Sequence, residues 1–409
     1  MWTKEKIEDQ LKTETFDYQK IDLPFGLTTH GHDRSDTARL IFEGDLKGRS
    51  VLDVGSSLGF FSFESERRGA TRVLGIDVHP ESVRKAKILA SIKDSRADFL
   101  CKDIEDLPVQ EPFDVVLCLN VLHHLHDPLG ALNRLIDLTR EKLILEVATF
   151  GSHDKKKVGL PAFVCALLAR FPIIFVTPTG TRGTREIQRF YLSEPAVLHL
   201  LTKHRTVFAR VETKPSPHKG RFVVIAHKRR IGHLLVVGGP TSAGKKTLMR
   251  QLRENKLPEL AGKLGTPDAA VWGTPLNANH LDEPSSAVME HAILHYDIMR
   301  PHFRSTRVYA RDEAMDLLSC ADKVTFVTVL TPAERLRNQI QVAELSRKKD
   351  SRKLRILDLY KDPAAVRGIY ESWIDFAKPK ADAHYLAELN PDGSYTFSNA
   401  SDLHRRPVI

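Results

Sequence analysis

The stretch RSVLDVGSSLGFFSFESERRG, residues 49–69, constrains the fold more than any other part of the chain. A short apolar run ends at Asp53, Gly55 and Gly59 frame a tight turn, and a helix-forming segment follows. Strand, glycine turn and helix make the front end of a nucleotide-binding βαβ unit. Glycine is needed where backbone turns sharply and approaches a ligand. After Gly69 a second apolar run, TRVLGID, ends at Asp77, 18 residues beyond Gly59. In dinucleotide sites an acid about 20 residues past such a loop meets a ribose hydroxyl. A third segment, ADFLCKDIEDLP, carries Asp103; a fourth, FDVVLCLNVLHHL, runs into Asn120; a fifth, EKLILEVATF, closes the series. Apolar strands alternating with helices, with polar residues at their carboxyl ends, predict an α/β fold with a doubly wound, Rossmann-like parallel sheet.

Asp53-x-Gly55-x-x-x-Gly59, Asp77, Asp103-Ile104 and Asn120 resemble the successive motifs of class I S-adenosylmethionine-dependent methyltransferases. The resemblance implies that the loop from Asp53 through Gly55, Ser57 and Gly59 holds the methionine part of S-adenosyl-L-methionine. It implies further that Asp77 takes both ribose hydroxyls, and that Asp103 with the backbone of Ile104 takes the adenine. Asn120 would border the cofactor at the fourth strand. Ser57 stands where the family commonly has a glycine, and its small side chain is expected to fit. The GxGxxG loop of nicotinamide enzymes is absent. Upstream, the G-L-T segment at 26–28 and the Gly-Phe-Phe-Ser-Phe helix resemble the subgroup around the bacterial carboxymethyltransferase of the tRNA wobble uridine. That subgroup acts on varied acceptors.

The residues Gly55-Ser56-Ser57-Leu58-Gly59 also match G-x-S-x-G, the nucleophile elbow of α/β-hydrolases. An elbow needs several strands before it, and the largely polar segment ahead of this strand leaves no room for them.

Methyl transfer requires in-line approach of an acceptor and often a base to take its proton. The loop after the fourth strand, NVLHHLHDP, offers His123 and His124 as the better candidates, with His126 behind them. THGHDRS adds His30, His32 and Asp33. These histidines also fit a packing or loop-capping role, and their spacing matches no standard zinc pattern.

Near residue 230 a second section begins. IGHLLVVGGPTSAGKKTLMRQLREN runs from apolar strand through a glycine loop into a helix, the context a phosphate-binding loop demands. Gly239, Gly244 and Lys245 occupy the expected positions, and HAILHYD ends in Asp297, where a magnesium-binding or catalytic acid belongs. The order resembles small P-loop kinases, which implies ATP or GTP with Mg2+. A hydroxyl should follow the lysine to bind the metal. Lys246 stands there instead, and Thr247, about 100° further round the helix, points away. Lys246 is expected to supply part of the ion's positive charge. A basic stretch with Arg347, Arg352 and Arg355 reads either as a lid over the phosphates or as a solvated helix face.

The expected organisation is therefore a methyltransferase domain with an N-terminal cap at 1–230 and a P-loop NTPase-like α/β domain at 231–409. The formal charge of +9 suits an anionic partner. Four scattered cysteines and a charged N-terminus fit a reduced cytoplasmic setting. The apolar run VGLPAFVCALLARFPIIFV, 158–176, is broken by two prolines and an arginine. It reads as a buried or capping helix, or else as an interfacial segment giving peripheral membrane contact with a lipid-linked substrate. The first expectation for the acceptor is a glycan or small metabolite, which the second domain would phosphorylate. The alternative is an RNA-modifying enzyme, acting on tRNA, whose P-loop domain only binds nucleotide or regulates.

Overall fold

The computed structural model describes residues 2–108, 111–149, 160–182, 185–204, 207–258, 260–261, 269–273, 288–303, 308–309, 312–344, 351–390 and 392–405. Two units emerge, Met1–Lys228 and Arg229–Ile409.

Unit 1 is built on a seven-stranded sheet. Its strands are β1 (Ser50–Val54), β2 (Arg72–Asp77), β3 (Asp98–Cys101), β4 (Phe113–Leu119), β5 (Thr139–Ala148), β8 (Phe208–Pro215) and β9 (Arg221–Lys228). The order is β3-β2-β1-β4-β5-β9-β8. The first five pair in parallel, whereas β9 and β8 run antiparallel. Central strands carry continuous apolar runs because helices cover both faces; from Val51 to Val54 every residue of β1 is buried. The helices are α1 (Lys4–Thr13), α2 (Ser35–Ile41), α3 (Phe60–Arg67), α4 (Pro80–Lys93) and α5 (Pro128–Leu138). The order of connections reverses between β1 and β4, which makes a crevice at the carboxyl ends of those strands, where open α/β sheets bind ligands. Among the described residues no strand of the sheet precedes β1, so the strands that a hydrolase elbow requires are missing.

The run 158–176 departs from the buried-helix expectation. Only Ala162–Leu168 is helical (α6), bounded by Pro161 at its start and by Pro172 downstream. The chain then enters a separate hairpin of β6 (Ile174–Arg182) and β7 (Arg185–Leu192), followed by α7 (Glu194–His199). The prolines cut the run into a helix and a strand, neither long enough to bury all its apolar residues. Phe163 is 73% exposed, and Leu160, Leu167, Phe171, Ile174 and Val176 are exposed with it. No helix among the described residues is long and apolar enough to cross a membrane. Residues 158–159 of the run lie outside the described set, as do the three lysines at 155–157.

Unit 2 has a six-stranded sheet of β10 (Arg230–Gly239), β11 (Ala270–Trp272), β12 (Val288–Asp297), β13 (Ala321–Leu330), β14 (Ala383–Leu389) and β15 (Tyr395–Asn399). The order is β11-β12-β10-β13-β14-β15, parallel apart from β15. Its helices are α8 (Lys245–Arg253), α9 (Ala333–Glu344), α10 (Ser351–Leu359) and α11 (Pro363–Ala377). Trp373 on α11 stacks on Tyr296 at 5.3 Å and donates from Nε1 to Thr328 Oγ1. Its ring lies so close to Gly238 that a Cβ there would come within 2.6 Å of it. Of the basic stretch, Arg347 is outside the described residues, and only the backbone of Arg352 is placed.

Candidate functional site

The glycine turn of unit 1 is held from two sides. Gly55 N and Ser56 N both donate to Ile76 O, tying the turn to the end of β2. Gly55 and Gly59 have φ of 74° and 92°, in the left-handed region. A Cβ on Gly55 would meet Val121 Cγ2 at 2.3 Å, and one on Gly59 would meet the Phe99 ring at 2.6 Å. Ser57 also sits left-handed, at φ 52°, which explains why a glycine is natural at that position. Its backbone N–H donates to Asp77 Oδ2 at 3.0 Å, and His79 N donates to Asp77 Oδ1 at 2.9 Å. Each carboxylate oxygen thus keeps one lone pair for a ligand.

Asp103 lies after β3, where its side chain caps the short turn Ile104–Asp106, with Ile104 buried beneath. Asn120 follows β4 at φ 64°, and its N–H donates to Glu146 O. The structure therefore brings Gly55, Ser57, Gly59, Asp77, Asp103, Ile104 and Asn120 to the carboxyl edge of four consecutive sheet positions. Asp53 sits differently. It is buried inside β1, where its carboxylate accepts from Ser62 Oγ of α3 at 2.8 Å.

Beyond Asn120, the turn Leu122–His124 carries the histidines. His123 is buried and stacks on Tyr191 of β7 at 5.9 Å, whereas His124 is exposed with its ring 3.9 Å from that of His123. Burial, then His124, Arg189 and Arg221, push His123 down to about 3. It is a neutral imidazole at physiological pH. His126, His30, His32 and Asp33 are exposed, and Asp33 is engaged by Ser35 N and Lys20.

Sequence reading missed Glu146, Arg34 and Arg221. Glu146 on β5 is 1% exposed, accepts from Ser216 Oγ at 2.6 Å and Arg221 Nη1 at 3.0 Å, and pairs with Arg34 at 3.8 Å. A lone acid inside the apolar run LILEVA was the available signal.

Residues 45–169 match the family model described as "Methyltransferase domain". Unit 1 holds a class I methyltransferase domain. Similar curated proteins include the ubiquinone biosynthesis O-methyltransferase of Neisseria meningitidis serogroup C (strain 053442), 31% identical over 145 residues. That match covers 35% of this chain and 58% of the relative. The protein of the same name from Xylella fastidiosa (strain 9a5c) is 29% identical over 161 residues, covering 39% and 61%. The chain thus spans less than two thirds of the length of these relatives. Among solved structures, the N-terminal domain of EvdMO1 in the presence of SAH and D-fucose aligns at 19% identity. The alignment covers 56% of this chain and 98% of that one, with a TM-score of 0.43.

Within the methyltransferase domain the buried Asp53 has a measurable consequence. Burial pushes its carboxyl up to about 7, with Asp77 adding to the rise and Ser62 opposing it. An unfolded aspartate titrates near 3.9. The folded state therefore holds this proton where the unfolded state has lost it, so this group's effect on stability is a decline as pH rises from about 4 to about 7. Asp53→Asn keeps an oxygen for Ser62 and has no proton to lose. Relative to the wild type, the variant should gain about 3 kcal/mol between pH 5 and pH 8 in denaturant titrations. An unchanged difference between the two proteins would show that Asp53 is not a protonated buried acid.

Unit 2 brings its own residues together. β10 and β12 are in register at Gly239 and Asp297. Asp297 accepts from Thr241 Oγ1 at 2.7 Å and Met299 N at 3.1 Å. Gly244 at φ 91° starts α8, and Lys245 is buried, its Nζ donating to Gly239 O and Pro240 O at 2.7 and 2.6 Å. Burial lowers Lys245 to about 8, with Asp297 pulling it up and Lys246 down. Lys246 is exposed and Thr247 half-buried. Thr331, Tyr360 and Tyr395, none visible as site residues in the sequence, fasten the loop through Ala243 O, Thr241 O and Gly244 O.

Proposed function

We propose that unit 1 transfers a methyl group from S-adenosyl-L-methionine to an acceptor. The observation that carries this reading is the glycine turn pinned to Asp77 at the sheet's switch point, with Asp103, Ile104 and Asn120 on the flanking strand ends. The group fits the residues. Close packing leaves no room for side chains at Gly55 and Gly59, and Asp77 keeps free lone pairs toward ribose hydroxyls. Asp103 and Ile104 would hold the adenine. In the transfer, an acceptor lone pair forms the bond to the sulfonium's methyl carbon, the carbon–sulfur electron pair returns to sulfur, and the acceptor's proton passes to a base or to water. Val121, packed against Gly55, closes the turn from the acceptor side. In this reading His123, held neutral by burial, and His124 are the candidate bases. The names of the curated relatives favour an oxygen acceptor. A glycan or small metabolite remains the preferred substrate class, with tRNA the alternative. Incubating the full chain with methyl-labelled S-adenosylmethionine and cell extract tests the reading; no labelled product above a boiled control would sink it.

Unit 2 is proposed to bind ATP or GTP through Gly239, Gly244, Lys245, Lys246 and Thr247, with Asp297 beside the phosphates. The loop's supports and its position at the end of a central parallel strand favour this reading. Magnesium would rest on Asp297 and the nucleotide, while Lys246 adds charge. Phosphorylation of the same acceptor or a related one is the function proposed for this unit.

The exposed apolar patch supports peripheral binding to a lipid bilayer. Six of the fourteen exposed large hydrophobic residues among those described lie between Leu160 and Val176, and such concentration marks a contact surface. Phe163→Asp combined with Leu167→Asp should lower co-sedimentation with anionic liposomes at least fivefold. Equal sedimentation of variant and wild type would refute membrane contact.

A further inference from the structure

Resting on the methyl-transfer reading, we propose that the acceptor carries an oxyanion, a carboxylate or a phosphate, which Arg189 and Arg221 hold against His123. The region lies next to the donor side of the crevice. Val121 packs on Gly55, Asn120 N donates to Glu146 O, and His123 belongs to the same turn. Arg34, at the start of α2, and Arg221, at the start of β9, both pair with Glu146. Arg189 lies on β7 two residues before Tyr191, whose ring stacks on His123, and its charge opposes protonation of that imidazole. Among the described residues named in this cluster, two guanidinium groups, those of Arg34 and Arg221, thus meet one carboxylate. That carboxylate already accepts from Ser216 and Arg221.

Buried polar atoms without partners border the same region. They are His123 Nδ1, Arg189 Nε, His218 Nε2 and the Thr177 hydroxyl, Thr177 being opposite Arg189 in the β6–β7 hairpin. Native interiors pair such atoms, so a group of them beside a reaction centre calls for a ligand that supplies acceptors and donors. The neighbouring histidines register the same excess of positive charge. His123 is lowered by burial, then by His124, Arg189 and Arg221, and His218 is lowered by burial and then Arg34, with Arg221 and His32 adding to the effect and Glu146 opposing it. An oxyanion between Arg189 and Arg221 would neutralise that charge through bidentate hydrogen bonds. It would also raise the proton affinity of His123, preparing the imidazole to receive the acceptor's proton during the transfer described above.

The test uses the full chain, S-adenosylmethionine with a tritiated methyl group, and whole cell extract with its small molecules retained, with products separated on an anion exchanger at pH 7. Labelled product should be retained by the resin. Arg189→Gln should cut incorporation at least tenfold while affinity for S-adenosylhomocysteine stays within twofold of the wild type, and Arg189→Lys should recover part of the loss. Phosphatase treatment of the retained product distinguishes the two sources, since only a phosphate monoester loses its retention. Labelled product in the flow-through, resolved from unreacted S-adenosylmethionine on a cation exchanger, would overturn the inference and leave methyl transfer standing. An equal loss of S-adenosylhomocysteine affinity in Arg189→Gln would also overturn it, because the arginine would then serve the cofactor's own carboxylate. No label above a boiled control would overturn the methyl-transfer reading, and this inference with it. If Arg189→Gln does not fold, elution of the wild-type product decides.

Discussion

Asp77→Ala should weaken S-adenosylhomocysteine binding by at least about 100-fold in a calorimetric titration of the full chain. In the proposed site Asp77 both shapes the glycine turn and would offer acceptors to a ribose. It accepts Ser57 N and His79 N through separate oxygens, and it sits 9% exposed at the end of β2. Hydrogen bonds to an ionised group contribute about 1.5–3 kcal/mol each. Losing two to the ligand accounts for a loss of 100-fold or more, at about 1.4 kcal/mol per factor of ten. The turn itself should survive, because Gly55 N and Ser56 N remain bonded to Ile76 O and Gly59 N to Ser56 O. A melting transition close to that of the wild type would separate loss of binding from loss of fold. Unchanged affinity in a folded variant would remove Asp77 from the site.

The second large effect concerns unit 2. Lys245→Ala should abolish ATP and GTP binding, with affinity falling at least about 100-fold, while methyl transfer by unit 1 persists. The Lys245 ammonium now satisfies Gly239 O and Pro240 O, so the loop is closed on its own lysine. Phosphate oxygens would replace those carbonyls as acceptors, and a charge-assisted contact of this kind is about twice as strong as a neutral one. Asp297, anchored by Thr241 and Met299, should stay in place in the variant. If a phosphorylated product disappears and methyl transfer is unchanged, unit 2 is a kinase; if methyl transfer alone changes, it regulates. Binding of nucleotide by Lys245→Ala as tight as by the wild type would refute the phosphate-loop reading.

How far these features could be read in advance depends on how local each one is. The order of strands in unit 1 and the glycine turn follow from apolar runs and turn residues adjacent in sequence. Asp77 and Asp103 stand at the ends of such runs, so spacing alone placed them near the crevice. Asp53 looked equivalent, yet it lies inside the buried strand and faces Ser62, a partner that only α3 packing provides. Arg34, Glu146 and Arg221 come from three distant segments, joined because β9 pairs antiparallel with β5 and places Val223 opposite Glu146. No local pattern encodes that meeting. The run 158–176 misled for a related reason. Apolar content alone does not distinguish a buried helix from a broken segment with an exposed face, and the prolines decided it.

A crystal structure of the full chain with S-adenosylhomocysteine would show whether unit 1 binds the cofactor at the glycine turn. The ribose hydroxyls should lie on Asp77, the adenine against Asp103 and Ile104, and the sulfur facing the turn that carries Asn120 and His123. Ligand found elsewhere, or no ligand bound at millimolar concentration, would contradict that placement.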